Sequence, residues 1–237
     1  MAYIDKGERR EEIMAALTNG DRMTQKEFHE LYEEEDEGFR AELIAGMVFV
    51  RQPLSHWHGK SHGRLSMLID TYAGYTPGVE MSVDATVILG RNDEVQPDVL
   101  CRIAPEFGGQ SRDYLYRKDE KEQGPYIKGS PELVAEVAHS SRAIDLHLKR
   151  QRYERAGVIE YVVLCLAPKE IHWFDLANRT TIESDGGILR SIVLPGLWID
   201  EAGLLENDFI RVIDTLKLGL ASPEHEHFIE HLAARKG

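Results

Sequence analysis

The sequence has few cysteines, no long apolar run and no secretory start. Its two cysteines, Cys101 and Cys165, both lie in apolar, strand-like segments, which predicts buried reduced thiols and not a disulfide or half of a zinc site. No apolar run approaches the roughly 18 residues that span a membrane. The first twelve residues lack the basic-then-apolar order of a secretory signal. We therefore expect a cytoplasmic protein with no membrane partner.

Positive charge is the scarcer sign. Lys and Arg number 28 against 41 Asp and Glu, for a net charge of −13. This balance counts against a protein that coats nucleic acid non-specifically, since phosphate binding needs clustered cations, but it allows a local basic cleft. The hydrophobic content of 42% and charged content of 29% suit a soluble globular chain. At 237 residues, one domain over 1–237 is expected.

The most informative segment is 131–141, read as P-E-L-V-A-E-V-A-H-S-S. A short apolar run between turn-forming residues is typical of a strand buried on both faces. Glu136 interrupts this run, and an ionised carboxylate there costs several kcal/mol unless a cation or hydrogen-bond donors meet it. The plain structural explanation is a pairing with Arg or a place at the sheet edge. The functional explanation is a ligand site.

Two further acids support the functional explanation. Asp98 follows Pro97 in V-Q-P-D-V-L-C and opens an apolar triplet. Two carboxylates at the ends of adjacent strands make a site for a hard divalent cation, so we predict Asp98 and Glu136 as metal ligands. Glu42 lies in a predicted hairpin around Ala45-Gly46, on the strand face opposite to Leu43, and is a third candidate. Taken alone, it would read equally well as an exposed strand carboxylate.

The coarse order of elements predicts a mixed α/β (α+β) protein. Residues 1–38 read as N-terminal covering helices, residues 39–196 as the core and residues 197–237 as C-terminal helices. Within this plan, helices are expected at 8–35, 55–75, 142–156 and from 200 onward, with strands at 39–43, 47–50, 79–89, 95–102, 133–138, 159–166 and 171–175. A further hairpin is expected from 180–183 and 189–194.

Basic side chains concentrate in two places. The predicted helix from residue 55 carries His58 and His62 one turn apart, and a polar helix face or a phosphate contact by His58 is favoured over a zinc pair because no third ligand is indicated. The long polar segment 104–130 interleaves aromatic and basic residues, including Arg117, Lys118 and Lys121. Such interleaving suits a nucleic-acid backbone with stacked bases. A surface arm without a ligand fits this segment equally well.

Lys149 completes a set of residues with a recognised chemistry. It lies on the helix after the Glu136 strand, where Asp145, Lys149 and Arg152/Tyr153 share one face. In a metal-dependent phosphodiesterase, carboxylates hold the metal and a lysine positions the attacking water or lowers its pKa.

The order of these residues resembles the PD-(D/E)XK nuclease superfamily. The chain is most similar to its uncharacterised bacterial branch of restriction-endonuclease-like proteins, over roughly residues 39 to 220. The blocks that carry this resemblance are A-E-L-I-A-G, Q-P-D-V, P-E-L-V-A-E-V-A-H-S-S, D-L-H-L-K-R-Q-R-Y-E-R-A-G-V-I-E-Y-V-V and L-P-G-L-W-I-D. The resemblance implies a restriction-endonuclease-like core with flanking helices, and Glu42, Asp98 and Glu136 in its site.

The chain departs from the superfamily pattern at one position. Lysine is expected two residues after the second acid, where this chain has Ala138. The resemblance implies that Lys149 replaces it from the following helix, which a long side chain permits. His139 and Ser140 also stand where the branch more often has Ser-Pro.

The sequence therefore predicts a Mg²⁺-dependent (or Mn²⁺-dependent) endonuclease acting on DNA, with Glu42, Asp98, Glu136 and Lys149 as catalytic residues. A homodimer is expected from the resemblance. Two alternatives stay open: a catalytically weak nucleic-acid-binding or regulatory protein, favoured by Ala138, and a domain whose acids bind metal only for folding.

Overall fold

The computed structural model describes residues 16–36, 38–118 and 121–236, without the side chains of residues 117, 118 and 121–123. Within this part of the chain the α-helices are α1 (Gln25–Tyr32), α2 (His56–Gly74), α3 (Arg150–Ala156), α4 (Glu201–Glu206), α5 (Phe209–Leu220) and α6 (Pro223–Arg235). A π-helical segment, Ile144–Lys149, leads into α3, and one short 3-10 turn is at Pro105–Phe107. None of these helices is long and apolar enough to cross a bilayer.

The described strands form two six-stranded mixed sheets and a small two-stranded one. Sheet A has the order β2-β1-β5-β4-β8-β7, from β1 (Ala41–Ile44), β2 (Met47–Val50), β4 (Val87–Gly90), β5 (Asp93–Val95), β7 (Arg112–Lys118) and β8 (Lys121–Lys128). Sheet B has the order β12-β11-β10-β9-β6-β3, from β3 (Val79–Val83), β6 (Val99–Ile103), β9 (Leu133–Ala138), β10 (Glu160–Leu166), β11 (Lys169–Asp175) and β12 (Thr180–Thr181). Sheet C pairs β13 (Ile188–Arg190) with β14 (Trp198–Asp200). The predicted mixed α/β fold with flanking helices is confirmed.

Sheet B lies at the centre and is covered on both faces. On β9, Leu133, Ala135 and Val137 pack with α2, α5 and sheet C. Val134 and Ala138 alternate with them and pack toward sheet A and α3. Because strand side chains alternate, Glu136 points to the same side as Val134 and Ala138. The strand is buried along its whole length, as its apolar run predicts.

The N-terminal part of the described chain differs from the prediction. The predicted helix 8–35 is confirmed only over α1. Its first eight positions lie outside the described residues. The residues just before Thr24 run beside β2, where the Val48 N–H donates to the carbonyl of Asp21 at 2.8 Å. Thr24 is the N-cap of α1, and its capping box with Glu27 explains why the helix starts there and not earlier.

Two predicted strands are each divided between the sheets. The segment 79–89 contributes β3 to sheet B and β4 to sheet A, and the segment 95–102 contributes the end of β5 and then β6. Asp84, with φ of +48°, turns the chain between β3 and β4, a conformation that Asp tolerates better than most residues. Pro97, which has no backbone N–H to donate, interrupts the second segment.

Two further expectations need correction. Part of the polar segment 104–130 forms the hairpin β7–β8, in which Tyr114 pairs with Tyr126; its aromatic residues favour strand despite the surrounding charge. The predicted hairpin of 180–183 with 189–194 does not form, because β12 pairs with β11 and β13 pairs with β14. Local patterning identified strand character there but not the partner strand.

Candidate active site

Strand register brings the first two acids together. Sheet B pairs Val99 of β6 with Ala135 of β9 in antiparallel register, so Asp98 is level with Glu136. The Asp98 Oδ2 atom accepts a 2.7 Å hydrogen bond from the Val137 N–H. Both carboxylates are buried. The prediction that these acids stand on adjacent strands is therefore met by the pairing of β6 with β9.

Glu42 reaches the same place from sheet A. On β1, Ala41 and Leu43 pack against α1, whereas Ile44 packs toward sheet B. Glu42 shares the face of Ile44, as the predicted alternation requires. Its Oε1 atom accepts a 2.8 Å hydrogen bond from the Gln96 N–H, two residues before Asp98. The three predicted acids thus project into one space between the sheets.

Lys149 stands between these acids. Its Nζ atom lies 2.8 Å from Glu136 Oε1 and 2.9 Å from Glu42 Oε2. The residue is the last of the π-helical segment and is buried. One-turn π insertions change the direction in which following side chains point and are frequent at functional sites. The side chain turns inward, which the sequence alone left open.

Three residues of the site were not assigned to it from the sequence. Asp145 lies one turn before Lys149, with its Oδ1 3.9 Å from the Nζ, and its helical spacing was the available signal. Tyr153 donates to Glu136 Oε1 at 3.0 Å. Arg51, just after β2, has its Nη2 2.7 Å from Asp98 Oδ1. No sequence pattern marked Arg51. We call Glu42, Asp98, Glu136, Asp145 and Lys149 the carboxylate–lysine cluster.

His58 lies inside the site and not on an outer surface. It is buried, with Nε2 3.3 Å from Asp98 Oδ2. His62 places its Nε2 2.7 Å from the Asp98 carbonyl oxygen. Among the described residues, no group of three or more His, Cys, Asp or Glu is arranged as a ready metal site. Contact between His58 and a phosphate remains a prediction.

The electrostatics of the cluster combine burial with attraction to cations and repulsion between its carboxylates. Burial raises the pKa of Glu136 well above its usual range, Lys149 lowers it, and Asp98, Asp145 and Glu42 add repulsion that raises it. Burial alone would also raise the pKa of Asp98, but His58, the Val137 N–H and Arg51 hold it below its usual range. In the same way, burial would lower the pKa of Lys149, but the surrounding carboxylates raise it, so the ammonium stays protonated.

The cluster forms the floor of an open cavity of about 620 Å³. Glu42, Asp98, Glu136, Asp145 and Lys149 all line it. Its rim comes from the segment after β2 and the turn after β9, including Arg51, Leu54, Ser55, His139 and Ser140, and His58 of α2 also lines it. A ligand entering from solvent would therefore meet the acids and the lysine directly.

The other predicted contacts lie elsewhere. Arg117, Lys118 and Lys121 are at the turn of the β7–β8 hairpin, where Lys118 pairs with Lys121. Strands β7 and β8 lie at the opposite end of sheet A from β1, which carries Glu42. The side chains of the three basic residues lie outside the description. Their role as nucleic-acid contacts stays a prediction.

Mixed sheets with flanking helices, and acids around an inward lysine, fit the restriction-endonuclease-like core that the sequence resemblance implies. Residues 25–202 match the model of the Uma2 family, described as "Putative restriction endonuclease", and the chain belongs to this family. A crystal structure titled as a putative nuclease belonging to DUF820, from Anabaena variabilis ATCC 29413, matches with a TM-score of 0.59 at 11% identity. The match covers 78% of this chain and 98% of that one, and it shows a shared fold. Comparison with curated proteins finds no match.

Proposed function

We propose that this protein is a metal-dependent endonuclease that hydrolyses phosphodiester bonds of DNA. The observation that carries the proposal is the carboxylate–lysine cluster on the floor of an open cavity. Membership of the Uma2 family supports a nuclease in general terms. DNA as the substrate and duplex cutting by a homodimer are proposed from the sequence resemblance.

The donor set suits Mg²⁺ or Mn²⁺. Asp98 and Glu136 would hold the ion, since Mg²⁺ takes oxygen ligands and is usually bound by one or two carboxylates together with waters and substrate phosphates. Among the described residues, Lys149 and Tyr153 both donate to Glu136 Oε1, and the residue lines the cavity, so Oε2 is the oxygen that would meet a ligand. Asp98, Asp145 and Glu42 add repulsion at Glu136, which a bound cation would relieve. When bound, the ion would supply an activated water and neutralise phosphate charge.

Lys149 acts as a donor in this proposal. Because its ammonium stays protonated, it cannot take a proton from water. It is instead placed to donate hydrogen bonds to the attacking water and to charge developing on the phosphate, a role in which a fixed donor in a buried site is effective. This assignment explains how the chain manages with Ala138 at the usual lysine position.

Arg51 and His58 hold Asp98 in place and line the cavity. The Arg51 guanidinium also contacts Asp84, at 3.0 Å. A guanidinium can pair with phosphate as well as with carboxylate. Arg51 is therefore placed to exchange part of its pairing with Asp98 for a bond to the substrate backbone.

The direct test is cleavage of plasmid DNA in Mg²⁺, in Mn²⁺ and in chelator. We expect metal-dependent nicking by the parent and none by Asp98→Asn, which removes a ligand charge with little change of volume. Asp84→Asn is the matched control, because Asp84 contacts the same Arg51 but does not line the cavity. Near-normal, metal-dependent nicking by purified Asp98→Asn would contradict the proposed site.

A second candidate is a DNA-binding protein with weak or no catalysis. The observation in its favour is Ala138, a buried methyl where the superfamily carries a lysine. It predicts that the parent binds DNA yet leaves the plasmid intact in both metals. The same experiment therefore separates the two candidates.

A further inference from the structure

A second cavity adjoins the first and belongs to none of the roles above. Its volume is about 310 Å³, at the lower end of the range of roughly 300–1,000 Å³ for pockets that enclose small ligands. His139, in the turn after β9, lines both cavities. A group that enters the second cavity therefore lies next to a ligand in the first.

One side of the second cavity is formed by an exposed aromatic side chain. Trp57, in the first turn of α2, is 64% exposed although it is the largest apolar side chain on that helix. The ammonium of Lys60 lies 5.7 Å from the centre of its ring. Exposing an indole to water is unfavourable unless the ring meets a partner, and stacking with another aromatic ring is its favoured contact.

Helix geometry links this wall to the carboxylate–lysine cluster. Trp57 and Ser61 lie four residues apart and face the second cavity, whereas His58 and His62, each one position on, face Asp98. One residue along a helix turns the side chain by about 100°. One rigid helix thus holds the indole in a constant relation to the acids.

The remaining lining matches a flat ring with polar edges. Leucines of β10 and α4, namely Leu164, Leu166, Leu204 and Leu205, supply apolar surface. Ser61, His139 and Asn207 supply groups that donate or accept hydrogen bonds, and Lys169 supplies a cation. Pockets that receive extruded nucleobases combine aromatic or apolar walls with hydrogen bonds to the base edge.

We propose that the second cavity, with Trp57 as its stacking wall, takes an unstacked nucleobase of the DNA strand whose phosphate lies over the carboxylate–lysine cluster. This inference rests on the proposed function and deepens it. It makes the preferred substrate one that presents an unpaired base, such as single-stranded or locally opened DNA. Stacking on an aromatic side chain is tolerant of base identity, so little sequence preference is expected from this contact.

The test measures whether the contribution of the bases depends on Trp57. Binding is measured in chelator, without turnover, for a labelled DNA strand and for a strand of equal length with the same phosphates and no bases. Trp57→Ala is expected to weaken binding of the base-bearing strand by roughly 5- to 150-fold and to leave the abasic strand unchanged. Trp57→Phe should restore most of the affinity. Tyr75→Ala is the control, because Tyr75 is an equally exposed aromatic at the other end of α2 and should alter neither.

The outcomes separate this inference from the proposed function. If the parent cleaves plasmid but Trp57→Ala weakens both strands equally, or neither, the second cavity does not receive a base and the inference alone is wrong. If sedimentation shows that Trp57→Ala converts a dimer to a monomer with no base-dependent change in affinity, a second copy covers the indole and the inference is again wrong. A parent that neither binds nor cleaves DNA contradicts both proposals.

Discussion

Glu136 and Glu160 are both buried glutamates on the parallel strands β9 and β10, but their surroundings are opposite in kind. Glu160 is met on both oxygens by uncharged donors: the N–H groups of Ile192 and Val193 at 2.6 and 2.8 Å, the Ser191 hydroxyl at 2.8 Å and the Trp173 indole at 2.9 Å. Within the described part of the chain, Glu136 accepts from Lys149 and Tyr153 on the same oxygen, Oε1, and has three other acids close by.

The difference separates a structural carboxylate from a functional one. Glu160 ties the turn at residues 191–193 to sheet B and does not line the cavity, whereas Asp98, also met by donors on both oxygens, does line it. Glu136 faces the cavity too, and a cation there would relieve the repulsion from the three nearby acids. A buried acid in a strand is thus not evidence of a site by itself; the nature of its partners decides.

The largest expected effect comes from exchanging each acid for its amide. We expect Glu136→Gln to lower the cleavage rate by about 10³-fold or more, because ion-assisted charge stabilisation supplies several kcal/mol. Glu160→Gln should leave cleavage by the folded protein within a few-fold of the parent. Rates are measured on plasmid DNA at saturating metal. Equal activity of the two variants would remove the functional distinction.

For folding stability we expect the opposite order, with Glu160→Gln more damaging than Glu136→Gln. In Glu160→Gln the new amide would turn its NH₂ toward groups that themselves donate, and each buried donor left unpaired costs about 1–3 kcal/mol. Glu136→Gln instead removes charge from a crowded acidic site and should cost less. Thermal unfolding in chelator checks this. A larger drop in melting temperature for Glu136→Gln would mean that Glu136 too is chiefly structural.

Lys149→Met tests the role of the cation that pairs with Glu136. Removing one fixed donor to developing charge typically lowers the rate constant by about 10²–10³-fold, and we expect kcat to fall within this range. Affinity for Mn²⁺, followed by the metal-induced rise in melting temperature, should change much less, because Lys149 is assigned to water and phosphate and not to the ion.

Lys128→Met is the control for this change. Lys128 lies over the Tyr114 ring at 4.5 Å, away from the cavity lining. A fully active Lys149→Met beside an inactive Lys128→Met would show that Lys149 does not replace the lysine missing at Ala138.

The smallest effect is expected from charges at the hairpin turn. Replacing Arg117, Lys118 and Lys121 by Gln should weaken DNA binding without altering cleavage at saturation, because β7 and β8 lie at the opposite end of sheet A from β1, which carries Glu42. Removing one phosphate-binding cation should reduce the slope of log K against log salt by about 0.9 for duplex DNA. An unchanged slope in a salt titration would make the hairpin a surface arm without a ligand.

Much of the site could be predicted from local sequence, because strand alternation and buried charge are properties of neighbouring residues. The alternation over 41–44 placed Glu42 opposite to Leu43, and the apolar run around Glu136 identified a carboxylate that needs a partner. The same kind of pattern placed a helix at 142–156, and α3 does end at Ala156, where Gly157 with φ of +97° is the C-cap.

Only the tertiary structure decided which of these residues meet. Glu42 and Lys149 are 107 residues apart in the chain, and periodicity carries no information on contacts across such separations. Periodicity also did not indicate which sheet each part of 79–102 joins, or that Arg51 approaches Asp98. Lys149 reaches Glu42 and Glu136 because a π-helical segment and the packing of two sheets bring them together, and both depend on the whole fold.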